Sequence, residues 1–308
     1  MINYKQYLDE KIHQLKVVCR SQWDYLNYSN LCAWLEDNFN GDMQGKYYAI
    51  KILLHTVYYK KTDIEKLLKY GLFEKIYGEI IKDKLVDNKN IYIDNITGSA
   101  LVNSLKNKSF FIPLLDSLKP SESGNIFTGD LVHKFDINQS QVDFHWNVTK
   151  EKLAGKEILI FVDDCVGSGA QLKKFWNSTA IQNLKAICQE LNIKIYYLVL
   201  LGYDKNLEAL KSENKLLGIE IIVCDVLTDK NRVFSNENII WDKNTTEREE
   251  AIKYFENIKK TRGVSFLGYT KLDFAVILHD RLPDWTLPIF WKKTVGWKNL
   301  FQRKTSET

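Results

Sequence analysis

The chain has 308 residues, 45% of them hydrophobic and 27% charged, with a formal net charge of +4. That length buries a full core without staples and allows one large domain or two ordinary ones; the composition excludes global disorder. The charge is too mild for a nucleic-acid surface, which wants a clustered basic face, and the basic group Lys292, Lys293, Lys298, Arg303 and Lys304 reads as a solvated end. Five cysteines, at 19, 32, 165, 188 and 224, form no C-x-x-C pair and read as free thiols in a reducing compartment. No apolar run approaches the ~20 residues a bilayer crossing needs. The start, Met-Ile-Asn-Tyr-Lys-Gln, carries no apolar leader, so the expectation is a cytoplasmic chain with no membrane partner.

Residues 1–90 read as a helical region. Leu31, Trp34, Leu35 and Phe39 recur at helical spacing after a Ser29 or Asn30 cap. A second stripe is Ile50, Leu53, Leu54, Val57 and Tyr58, and Thr62-Asp63-Ile64-Glu65 fits a capping box opening a third helix. Lys and Arg nearly balance Asp and Glu here, 14 against 12. From 91 to 308 short β-rich runs alternate with helices, which implies βαβ units and a parallel sheet. Strands are expected at 109–115, 158–162, 193–201, 219–223 and 274–278. Helices are expected at 170–191, with a break at Asn177-Ser178, and at 206–217. Residues 117–130 read as a polar loop.

Ile158–Val162 is apolar throughout, as a strand buried on both faces is. Ligands of open parallel sheets sit beyond the carboxyl ends of such strands. Here that end meets Asp163-Asp164, then Cys165-Val166, then Gly167-Ser168-Gly169 before a helix. Glycines admit close approach and positive φ, and N–H groups at a helix start make an anion cradle. Ser168 adds a hydroxyl and Gln171 an amide. Two carboxylates repel a phosphate but favour sugar hydroxyls and Mg²⁺. Acids for a sugar followed by a cradle for an anion spell a sugar phosphate.

Residues 158–172 resemble the phosphoribosyl diphosphate signature of type I phosphoribosyltransferases. The resemblance implies that Asp163 and Asp164 hold the ribose hydroxyls and act at the reacting sugar, with Mg²⁺ nearby. It implies that Val166, Gly167, Ser168, Gly169, Ala170 and Gln171 hold the 5-phosphate. The helical start, the loop and the segment His279-Asp280-Arg281-Leu282-Pro283-Asp284-Trp285-Thr286-Leu287-Pro288-Ile289-Phe290-Trp291 together resemble the PRTase-CE group of bacterial conflict and antiphage systems. The implied fold is a phosphoribosyltransferase-like parallel-sheet core behind an N-terminal helical region. Gly167 stands where purine enzymes carry a base-contacting aspartate, which argues against purine salvage.

A transferase of this kind also needs a diphosphate loop after its first core strand. Lys119, Ser121, Ser123 and Gly124 supply anion donors there, although a plain solvated loop fits equally. Substitution at the anomeric carbon builds positive charge on the sugar, and positioned donors with Mg²⁺ stabilise the departing diphosphate. His279 and Arg281 are candidates for the acceptor side, with Trp285 as a stacking face; each fits a structural role as well. A Walker B reading of the acids fails because no G-x-x-x-x-G-K-[ST] exists. The rival is an inactive sensor of nucleotide or sugar phosphate whose helical region docks a partner protein.

Overall fold

A computed structural model describes residues 3–24, 26–87, 94–115, 123–243, 246–279 and 281–302. The chain divides into two compact units, one of residues 1–64 with 228–308 and one of residues 65–227. Six strands occur among the described residues: β1 (Val57–Tyr59), β2 (Ser109–Pro113), β3 (Ile158–Val166), β4 (Lys194–Tyr203), β5 (Glu220–Leu227) and β6 (Val276–Leu278). The class is mixed α/β, as expected, and every pairing between these strands is parallel. β1 pairs with β6, and the other four form a sheet in the order β2-β3-β4-β5.

The unit 65–227 holds the four-stranded sheet. All of β2, the first six residues of β3 and the last nine of β4 are buried, so the continuous apolar runs belong to strands covered on both faces. Alternation sends Leu159, Phe161, Ile195, Tyr197 and Val199 to one face. There they join Leu172, Phe175, Leu184, Leu207 and Leu210 of the helices Ala170–Trp176, Thr179–Glu190 and Asp204–Leu217. The first two of these break at Asn177-Ser178, where the sequence placed the break. Phe161 is fully buried and meets Phe175 and Trp176 edge-on at 5.3 and 5.9 Å; burial of such a side chain contributes roughly 1.5–3 kcal/mol. On the opposite face, a Cβ built on Gly71 would come within 2.4 Å of the Cys224 sulfur and 2.5 Å of Leu198. Glycine there lets the helical stretch 65–87 lie directly on the sheet. Phe73 meets Phe135 at 5.9 Å, which brings the helix Ser123–Phe135 to the same face.

The other unit packs the helices Tyr4–Ser21, Tyr28–Phe39, Met43–Leu54 and Glu247–Arg262 with the β1–β6 pair. Its core is aromatic: Trp34, Phe39 and Trp297 lie within 5.3–6.0 Å of one another.

This partition differs from a boundary near residue 90. The stretch 65–87 packs on the four-stranded sheet, while residues 228–302 share a core with the N-terminal helices. Val57 and Tyr58, expected in a helix, form β1 because their partners Val276 and Ile277 lie far along the chain. Helix 28–39 is capped by Asn27, whose side chain accepts the Asn30 N–H at 2.9 Å, and not by Ser29 or Asn30. At the next start Asp63 accepts the Lys60 N–H at 3.0 Å, in place of a Thr62–Glu65 box. Residues 123–130, expected in a loop, are helical. A Cβ on Gly124 would lie 2.8–3.0 Å from backbone atoms of Leu114 and Val162, so this glycine serves close approach to β2 and β3. The five cysteines are free thiols. No helix among the described residues is long and apolar enough to cross a membrane.

Candidate functional site

β3 lies between β2 and β4, with Pro113 opposite Val162, Asp163 opposite Val199 and Val166 opposite Gly202. The strand therefore runs four residues past its expected end, and the acidic pair sits inside it. β2 stops at Pro113, so from Asp163 onward the strand pairing of β3 is with β4 alone. The acids therefore lie at the carboxyl edge of the sheet, where ligands of open parallel sheets bind.

Neighbours in a strand point to opposite faces, which separates the two carboxylates. Asp163 is 2% exposed. The Tyr197 hydroxyl donates to its Oδ2 at 3.1 Å, and the Asp164 N–H donates to its Oδ1 at 2.8 Å. Burial first, then the negative charges of Asp163 and Asp164, hold the Tyr197 phenol well above its ordinary pKa. It therefore stays a donor across the neutral range. Asp164 is half-buried, and the strand period sends its side chain to the other face.

The loop beyond is built by three further residues. The Asn206 side-chain amide donates to the Gly167 carbonyl at 2.9 Å. Gly169 has φ +72°, in the left-handed region, and a Cβ on it would lie 2.4–2.9 Å from three carbons of Leu210. Both facts require glycine. The Ala170 N–H donates to the Ser168 hydroxyl oxygen at 3.4 Å, and the Lys173 N–H donates to the Gly169 carbonyl at 2.9 Å, closing the first helical turn. Val166 is buried, Gly167 and Ser168 are half-buried, and Ala170 and Gln171 are exposed. A bend turned by a left-handed glycine into a helix start is a backbone shape that suits an anion. The structure thus brings together Asp163, Asp164 and residues 166–171.

Of the expected diphosphate donors, Lys119, Ser121 and the Ser123 side chain lie outside the described residues, and Gly124 faces the backbone of β2 and β3. The acceptor-side candidates belong to the other compact unit. His279 has φ +48°; its N–H donates to the Tyr59 carbonyl at 2.7 Å, and its Nδ1 lies 3.0 Å from Asp24 Oδ1. Burial pushes the Asp24 carboxyl up, but hydrogen bonds from Tyr58 and His279 outweigh it and hold the group below its ordinary range. The Arg281 N–H donates to the Leu278 carbonyl at 2.7 Å. Trp285 is 4% exposed with its ring edge-on to Phe274 at 4.9 Å, so its stacking face is spent in the core. Among the described residues no group of three or more His, Cys, Asp or Glu side chains gathers to hold a metal.

Tyr197, Asn206 and Leu210 escaped the sequence reading. Tyr197 carried a signal, since a tyrosine inside a buried apolar strand needs a hydrogen-bond partner. Asn206 and Leu210 carried none beyond their place in the helix after β4.

The chain matches the family described as PRTase-CE over residues 31–303. A search of curated proteins finds no match. Among solved structures, the orotate phosphoribosyltransferase from Aeropyrum pernix is similar at 12% identity and a TM-score of 0.25, over 43% of this chain and 72% of that one.

Proposed function

The chain belongs to the PRTase-CE family, and we propose that the carboxyl end of β3 binds phosphoribosyl diphosphate. The observation that carries this is the order of parts along one buried parallel strand: an acidic pair at its carboxyl end, then a bend fixed by Gly169 and Asn206, then a helix start. In this reading Asp164 accepts the ribose hydroxyls. Asp163, tied to Tyr197 and to the Asp164 N–H, is a positioning residue that sets the direction of its neighbour. The Ser168 hydroxyl and the amides of residues 167–171 hold the 5-phosphate, where neutral dipoles offset its charge.

The residues present fit Mg²⁺ only as a companion of the substrate. One half-buried carboxylate with no cluster of three acids or imidazoles among the described residues is a poor cage, but Mg²⁺ takes many of its oxygens from phosphates. Bound with the diphosphate and Asp164, the ion would neutralise charge developing on the leaving group. The chain's own work is to fix the sugar and its 5-phosphate so that the anomeric carbon is held for attack. Whether a phosphoribosyl group is then transferred is read directly: diphosphate release with an added acceptor marks a transferase, and saturable binding without release marks a sensor.

Calorimetric titration of the full chain with phosphoribosyl diphosphate and Mg²⁺ tests the site. Saturable binding, lost in Asp164→Asn with the circular dichroism unchanged, is the expected result; equal affinity in that variant refutes the ribose assignment. A cytoplasmic role in bacterial antiphage defence is proposed from the family resemblance alone. Plaque counts on cells carrying the wild-type or Asp164→Asn chain test it, and equal counts refute it.

A further inference from the structure

The β1–β6 pair ends in a cluster of titratable groups that the sugar-phosphate site does not use. Tyr59 closes β1 and Leu278 closes β6, in register and parallel. The His279 N–H donates to the Tyr59 carbonyl at 2.7 Å and so adds one rung to the pair. There the chain reverses: Leu278 and Arg281 exchange backbone hydrogen bonds at 2.9 and 2.7 Å, and His279 takes φ +48°. Glycine adopts a left-handed backbone freely, whereas a side chain with a Cβ is strained there. Backbone strain of this kind gathers at functional sites.

The imidazole is held through one nitrogen. Its Nδ1 lies 3.0 Å from Asp24 Oδ1, and the Tyr58 hydroxyl donates to the same oxygen. Burial raises the Asp24 pKa, but hydrogen bonds from Tyr58, His279 and the Lys61 N–H outweigh it and keep the carboxylate ionised at neutral pH. An ionised acid beside Nδ1 selects the tautomer with its proton there, which puts the lone pair on Nε2. The side chain is 28% exposed. The same corner carries cations. The Lys60 ammonium donates to the Ser21 carbonyl at 2.7 Å, three residues before Asp24, through one of its three N–H groups. Lys61 opens the helix Lys61–Lys69 directly after β1, which turns the positive end of a helix dipole toward this corner.

We infer that His279 is a phosphoryl-accepting histidine and Asp24 its positioning residue. An imidazole attacks acyl and phosphoryl centres alike; the lysines and the helix start favour the anionic one. In the step Nε2 attacks phosphorus, the bond from phosphorus to the donor breaks, and the leaving group departs with that electron pair. No proton leaves the ring. It becomes a cation with its Nδ1–H still directed at Asp24, and the carboxylate offsets the charge that the ring gains. The substrate class is a small phosphoryl donor whose leaving group departs readily, such as an acyl phosphate or a phosphoramidate. Both residues lie in the unit of residues 1–64 with 228–308, so the inference stands apart from the phosphoribosyl diphosphate site on β3.

The test incubates the full chain with phosphoramidate at neutral pH, where ammonia is the leaving group, and follows it by intact mass and phosphorus NMR. The chain gains one acid-labile phosphoryl group, and tandem mass spectrometry places it on His279 and on none of the other histidines. His279→Asn, whose side chain tolerates a left-handed backbone, stays folded and gains none. Asp24→Asn gains it about tenfold or more slowly, as loss of an orienting partner does, with its circular dichroism unchanged. A histidine that only ties the turn to Asp24 gives no adduct. An unmodified wild-type chain, an adduct on another histidine, or a wild-type rate in folded Asp24→Asn overturns the inference.

Discussion

Replacing Gly169 by alanine probes the loop most sharply, because two independent costs fall on one methyl group. The backbone at φ +72° is left-handed, which costs an L-residue about 1–2 kcal/mol. The added Cβ would lie 2.4, 2.6 and 2.9 Å from Cδ2, Cδ1 and Cγ of Leu210. Leu210 is itself only 2% exposed, so its isobutyl group has no solvent to swing into. Overpacking of this kind costs about 1–3 kcal/mol, and the sum is about 2–5 kcal/mol. Urea unfolding followed by circular dichroism reads this as a lower midpoint. Leu210→Ala alone also destabilises, by about 2–5 kcal/mol. In the double variant the smaller side chain admits the methyl, so the costs fall short of additivity by about 1–3 kcal/mol. The left-handed strain remains, and phosphoribosyl diphosphate affinity stays below wild type. An unchanged midpoint in Gly169→Ala, or strict additivity with Leu210→Ala, refutes the argument that the turn and the sheet-covering helix constrain each other.

Asn206→Ala removes the 2.9 Å donor to the Gly167 carbonyl. It should cost only about 0.5–1.5 kcal/mol of stability yet raise the Kd for phosphoribosyl diphosphate, since calorimetry senses the loosened bend. Tyr197→Phe takes a donor from the buried Asp163 carboxylate and should lower stability by about 1–3 kcal/mol in urea, with a weaker effect on ligand affinity than Asp164→Asn. Alkaline pH should unfold the protein. Burial raises the Cys188 thiol to about 12, and burial aided by Glu220 and Asp83 raises the Tyr196 phenol to about 12. Folded pKa values above the unfolded ones mean that the unfolded chain releases these protons first. Stability is thus fully present below about pH 8.5 and falls as pH rises through 9 and 10 toward 12. Urea midpoints at pH 8 and pH 11 check the sign, and equal values refute it.

The sheet was legible because burial on both faces writes itself as unbroken apolar runs. Ile158–Val162, Ile193–Leu201 and Ile219–Val223 each fall within a residue or so of a real strand start. Their carboxyl ends were not legible, since β3 continues through Asp163 and Asp164 by pairing with β4, and pairing is a property of two segments. The same limit hid β1, whose partner is β6. It also hid the membership of residues 228–302, whose tryptophans and phenylalanines read as core without saying whose core. Trp34 and Trp297 are 6.0 Å apart in space and far apart in sequence. Glycines were legible as punctuation but not as kind: Gly169 turns the chain, Gly124 admits a neighbouring backbone, and Gly129 meets nothing within 4 Å.

The acidic pair shows most plainly what one dimension conceals. As letters, Asp163 and Asp164 are equivalent, and the resemblance gives both to the ribose. A strand has a side-chain period of two, so adjacent acids inside it cannot share a face. One of them must enter the covered side, where an ionised carboxylate survives only with partners. Tyr197 is placed for that task, at the same face and one strand over, and burial first, then the charges of Asp163 and Asp164, keep its proton on. Under the proposed function the pair is thereby divided in labour: Asp163, beside the buried phenol, anchors the strand end, and Asp164 meets the ligand.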